Sequence, residues 1–74
     1  MDYTEAVNAV DGAPESSPLY GSRYSWPTGQ YIGWDYATES LYIVGVGMPS
    51  GPYHPTQDDQ QAEDWMYGGD KPPR

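Results

Sequence analysis

The chain has 74 residues, with eleven acids against three Lys or Arg, for a formal net charge of −8. That balance excludes nucleic-acid binding through phosphates, which takes clustered Lys and Arg. The length allows one domain with a marginal core, since a chain this short buries only about 60% of its unfolded surface. There is no cysteine, so neither a disulfide nor a thiolate metal site is available, and the single His54 cannot build a zinc site alone. No metal, cofactor or catalytic group is therefore expected, and oligomerisation is the route left for stabilising so small a core. No apolar run reaches membrane-spanning length and no signal-peptide pattern opens the sequence, so a soluble cytoplasmic protein is expected.

Asp2 to Gly12 reads as a short helix. Asp2 caps it, Glu5 is the reciprocal partner three residues on, and Gly12 supplies a left-handed C′ position. Tyr3, Ala6, Val7 and Val10 recur at helical spacing on one face, which must pack on something, because an isolated helix of this length does not hold in water. Ala13 to Pro18 is a loop by composition. Tyr20–Ser25 is rich in strand formers. Pro27-Thr28-Gly29 then turns the chain, with proline presetting φ and glycine free to take a positive one. Tyr31–Tyr36 is a second strand, with Ile32, Trp34 and Tyr36 on one face and Tyr31, Gly33 and Asp35 on the other. After a turn over 37–40, Leu41–Val46 pairs with it as an antiparallel hairpin.

Gly45, Gly47 and Gly51 make a return loop. They are no dinucleotide fingerprint, since no helix of the required length follows. Pro52 and Pro55 hold an extended approach to Thr56, the N-cap of a short helix from Gln57 to about Ala62. Asp59 sits where a capping box would place its reciprocal side chain, and Asp58 and Asp59 both suit the helix dipole. Trp65 docks into the core, Met66 and Tyr67 extend a last short strand, and residues 68–74 form a flexible tail. The pattern predicts an α+β domain over residues 1–67. A short N-terminal helix packs on a small antiparallel sheet, with a short C-terminal helix.

Solvation and helix dipoles account for the acids, and no pair of them stands out as converging on one bond, as acid–base catalysis needs. No nucleophile elbow surrounds any serine. With eight Tyr, three Trp and no Phe, the aromatic content suits half-wet pockets and interfaces better than a dry core. The candidate ligand set is Arg23, Tyr24, Trp26, Thr28 and Tyr31, opposite Tyr53 and Gln57. Tryptophan and tyrosine stack on bases for about 1–3 kcal/mol each. Hydroxyls and amides can hold ribose, and Arg23 is the one cation available there for a phosphate.

Pro52, Tyr53, Pro55, Thr56, Gln57, Asp59, Ala62, Glu63, Asp64 and Trp65 fit one pattern without a gap, about ten positions in fourteen. In this stretch the chain resembles the second Thoeris anti-defence family, small phage proteins that sequester nucleotide immune signals. The N-terminal helix ending near glycine is similar too. The resemblance implies a homo-oligomer, dimer or tetramer, with ligand pockets at subunit interfaces. It also implies sequestration, without degradation, of a cyclic ADP-ribose isomer or a cyclic oligonucleotide of the kind used by Thoeris and CBASS immunity, in the cytoplasm of an infected bacterial cell. The segment Ser25-Trp26-Pro27-Thr28-Gly29 stands where the family has Gly-Trp-Asn-Gly, and keeps its tryptophan and second glycine but not its asparagine. The basic run that many relatives carry near residues 13–18 is absent. Two other readings fit the composition, an acidic DNA mimic that inhibits a host nucleic-acid enzyme and a small virion adaptor protein.

Overall fold

A computed structural model of the chain describes residues 1–47 and 49–69. In chain order the elements are α1 (Tyr3–Asp11), β1 (Tyr20–Arg23), β2 (Tyr31–Asp35), β3 (Ser40–Val44), β4 (Gly51–Pro52), α2 (Gln57–Gln61) and β5 (Trp65–Gly68). The strands form one five-stranded antiparallel sheet in the order β4-β3-β2-β1-β5. This is the α+β arrangement expected, with β4 formed by residues that the sequence pattern assigns to the return loop and the extended approach after it. Among the described residues, no helix is long and apolar enough to cross a membrane.

Asp2 caps α1 by accepting from the Glu5 N–H at 2.8 Å. The expected left-handed Gly12 is not found. Its φ is −88°, and its N–H reaches the Asn8 carbonyl so closely that a Cβ would lie 2.9 Å from that oxygen. Glycine is thus needed there for space. Ala6 and Val10 face the sheet and are fully buried, while Tyr3 and Val7 flank them. Register sets what they meet. Ile32 stands between Gly21 and Ile43, and Trp65 stands opposite Arg23, so Gly21, Ile32, Ile43 and Trp65 share the face that α1 covers. Tyr31, packed edge-on against Tyr20 with ring centres 5.5 Å apart, lies on the opposite face with Tyr42 and Val44.

The strands are shorter than the periodicity suggested. β1 stops at Arg23, because Trp26 N–H turns back onto the Arg23 carbonyl at 3.0 Å. β2 stops at Asp35, whose Oδ1 accepts from the N–H groups of Ala37 and Thr38 and so closes the turn into β3. At the other end β5 runs through Gly68, paired with Tyr20. Beyond Gly69, the tail expected over 68–74 lies outside the described residues. The connection with most consequence is the last. β5 returns to pair with β1 rather than with its sequence neighbour β4, and so carries the stretch before Trp65 back beside Arg23.

Candidate functional site

Thr56 caps α2 as its sequence predicts, its hydroxyl accepting from the Asp59 N–H at 3.1 Å. The Asp59 carboxylate does not complete a capping box. It is 8% exposed and is claimed from two other directions. The Tyr53 hydroxyl donates to its Oδ2 at 3.0 Å, and Arg23 Nη1 donates to its Oδ1 at 3.0 Å. The same Nη1 donates to exposed Asp58 at 3.0 Å, and Nε donates to Asp64 at 2.9 Å. The Trp65 indole N–H closes the set on the Asp59 carbonyl at 2.9 Å. One guanidinium therefore serves three carboxylates, its side chain only 13% exposed.

This knot has an electrostatic signature. Hydrogen bonds from Arg23, then from Ser25, hold the Asp64 carboxyl below the usual aspartate range. The bonds to Asp64 and Asp58 drive the Arg23 guanidinium further from neutrality than it ordinarily is. Burial, followed by the bond to Asp59, pushes the Tyr53 hydroxyl well above its ordinary value. Tyr53 is fixed as a neutral donor and Arg23 as a permanently paired cation. Arg23 is not the fully free cation the sequence suggested, since its Nε and Nη1 already face three carboxylates, which leaves Nη2 as the nitrogen open to a further acceptor.

The knot instead positions the following turn. Tyr24 N–H donates to the Asp64 carbonyl at 2.9 Å, and Ser25 N–H to the Asp64 carboxylate at 3.1 Å. With residues 24 and 25 fastened, Trp26 packs edge-on against Trp65 at 5.2 Å and Tyr53 at 6.5 Å. Pro27 to Gln30 then closes a β-turn, Gln30 N–H to the Pro27 carbonyl at 3.1 Å, with Gly29 at a φ of 97° that a side chain would strain.

Beside this turn lies a cavity of about 180 Å³. Of the residues singled out in the sequence, Arg23, Tyr24, Trp26 and Thr28 line it together. The other three do not. Tyr31 is 2% exposed within the sheet, Tyr53 lies beneath Trp26, and Gln57 is exposed on the first turn of α2. Ser22, Gln30 and Met66 line the cavity without having been singled out. Ser22 and Met66 meet there because they are register partners across β1 and β5, which only the non-sequential pairing reveals. The chain matches no family model, no curated protein and no solved structure.

Proposed function

We propose that the protein is a ligand sponge: it binds a cyclic nucleotide signal at the Trp26 turn and withholds it without making or breaking a bond, as the resemblance to the second Thoeris anti-defence family implies. The observation that carries this reading is the Trp26 turn itself, held on a stapled platform with an indole, a phenol and a hydroxyl around one cavity. The wall suits a base and a ribose better than a phosphate, because Nε and Nη1 of Arg23 are engaged by its own carboxylates and their three negative charges oppose an anion. A cavity of about 180 Å³ is also smaller than the roughly 300–1,000 Å³ of complete ligand pockets. It corresponds to a half-site, which a second copy of the chain completes. Tyr24, 81% exposed, and Met66, 45% exposed, stand at its rim as apolar groups an interface would cover. The acidic-mimic reading is weakened by the same knot, since Asp58, Asp59 and Asp64 point at Arg23 rather than outward as a phosphate-like array.

The test is native mass spectrometry against a panel of cyclic ADP-ribose isomers and cyclic oligonucleotides. A bound ligand should leave chemically unchanged on denaturation, from a dimer or tetramer. Trp26→Ala should weaken binding about 10- to 100-fold, the equivalent of one stacking contact. Because Trp26 also touches the core, Thr28→Ala, at an exposed turn position, serves as the variant without a folding cost. Failure of every nucleotide to bind at 100 μM, a limit equivalent to about −5.5 kcal/mol, ends the sponge reading.

A further inference from the structure

A second and larger cavity lies elsewhere. It is an open groove of about 520 Å³ over the β3–β4 end of the sheet, and it shares no residue with the Trp26 cavity. Register explains its composition. Asp35 pairs with Ser40 and Tyr42 with Pro52, so these four side chains project from one face. Thr38 and Ser50, from the flanking turn and loop, complete the polar rim.

Two features shape the groove. Tyr42 leans across Gly33 so closely that a Cβ on that residue would lie 2.5 Å from the phenol oxygen. The ring is therefore tilted toward β2, and the space between it and Pro52 is left open as an aromatic-walled slot. On the other side, Asp35 commits Oδ1 to the turn, accepting from Ala37 and Thr38 N–H groups at 2.9 and 3.3 Å. Oδ2 takes no part in these bonds. The Thr38 and Ser40 hydroxyls share one hydrogen bond at 2.7 Å, which leaves one proton and several lone pairs between them for a ligand.

The chemistry of this wall selects its occupant. An anion meets a carboxylate in a chain of net charge −8, with no cation among the groove residues. A simple cation gains little from one partly hydrated carboxylate and leaves the hydroxyls idle. A vicinal diol uses every group. Its two hydroxyls donate to the carboxylate, one of them accepts the proton that the Thr38–Ser40 pair leaves free, and its C–H face lies on the Tyr42 ring. We infer that this groove is a binding site for a neutral polyhydroxylated ring, a ribose or a hexose, separate from the Trp26 cavity and independent of what that cavity binds.

The experiment is a two-dimensional NMR titration of the full chain. Three probes are used: methyl β-ribofuranoside, methyl β-glucopyranoside and, as the cationic control, ethylamine. A saturable shift of the Ser40, Tyr42 and Gly51 amides with either glycoside, at millimolar concentration and unaltered by 0.5 M salt, is the expected result, and the preferred glycoside identifies the source. Asp35→Asn keeps an oxygen for the two turn N–H groups but not the charge, and should weaken binding about tenfold, as one lost charge-assisted hydrogen bond would. Ser50→Ala, outside any strand, should weaken it severalfold with the fold intact. Saturation by ethylamine alone, with a steep salt dependence, would replace the polyol by a cation. No shift from any probe at 50 mM, or wild-type affinity in both variants, overturns the site.

Discussion

Replacing Arg23 by methionine separates a phosphate ligand from a structural keystone. Methionine keeps most of the apolar stem and removes the guanidinium. Exposed Asp58 loses little, since an ion pair at such a site contributes about 0–1 kcal/mol. Asp59 decides the magnitude. Its side chain is 11% exposed, so removal of Arg23 leaves a nearly buried carboxylate with the Tyr53 hydroxyl as its remaining side-chain donor. Breaking a buried pair this way costs about 3–5 kcal/mol, and the retained tyrosine bond argues for the lower figure, about 3 kcal/mol. A domain this size holds roughly 4–11 kcal/mol in all at 0.05–0.15 kcal/mol per residue. In urea, with a slope near 1 kcal/mol/M for so small a chain, the midpoint should fall by about 3 M. Tryptophan fluorescence reports it directly, since the indoles of Trp26 and Trp65 lie 5.2 Å apart beside the knot. Adding Asp59→Asn to Arg23→Met should restore part of the loss, because no uncompensated charge then remains. A loss below about 1 kcal/mol in Arg23→Met, matched by the loss in Asp58→Asn, would refute the knot. Unchanged stability together with lost nucleotide binding would return Arg23 to the ligand.

Trp65→Ala should cost about 3–5 kcal/mol in the same assay, since the side chain is 2% exposed and its indole N–H serves the Asp59 carbonyl; a cost below about 1 kcal/mol would remove Trp65 from the core. Tyr53 is a neutral donor whose folded pKa lies above its unfolded value near 10, so its contribution is complete below about pH 10 and declines as pH rises beyond it. Alkaline unfolding should therefore flatten in Tyr53→Phe, and an unchanged profile would dissociate Tyr53 from it. Asp64 runs the other way: its folded pKa is depressed, so its contribution is present above the unfolded value of about 3.9 and is lost as pH falls below it; Asp64→Asn should shallow the acid limb. Glu39 holds a φ of 55° in the β2–β3 turn, so Glu39→Gly should gain about 0.5–1 kcal/mol, and a loss would show that its side chain stabilises the turn.

Most of the secondary structure was legible because local chemistry wrote it. Asp2 and Thr56 cap the helices they precede, and Tyr31–Asp35 forms the strand its β-formers suggest, with both of its faces buried over residues 31–33. What could not be read was every consequence of the β1–β5 pairing. Sequence distance gave no hint that Arg23 would meet residues 35 to 41 positions away, so a lone cation in an acidic chain read as a ligand group. For the same reason Asp58 and Asp59 read as dipole-solvating surface acids, and Ser22 and Met66 went unnoticed. Tyr31 and Gln57 entered the candidate set on residue type, and type does not reveal which face of a strand or helix looks toward a cavity.

That pairing also changes what the resemblance in residues 52–65 can mean. Its most constrained members are the parts of the scaffold. Tyr53 donates to Asp59, Thr56 caps the helix that presents Asp59, Asp64 fastens Arg23 and Ser25, and Trp65 fills the core. None of residues 52–65 lines the Trp26 cavity. A stretch used wholly for building a platform transmits fold and turn placement, and it says little about the molecule placed there. In the proposed sponge, the choice of ligand falls to residues 22–24 and 26–30, which line the cavity with Met66. There the chain has proline and threonine between its tryptophan and glycine where the family pattern has asparagine, and its one cation is largely engaged by carboxylates. Residues 52–65 thus explain why Trp26 stands where it does. Under the proposed reading, Pro27, Thr28 and Gln30, which line the same cavity, are the positions at which substitution should change the choice of ligand.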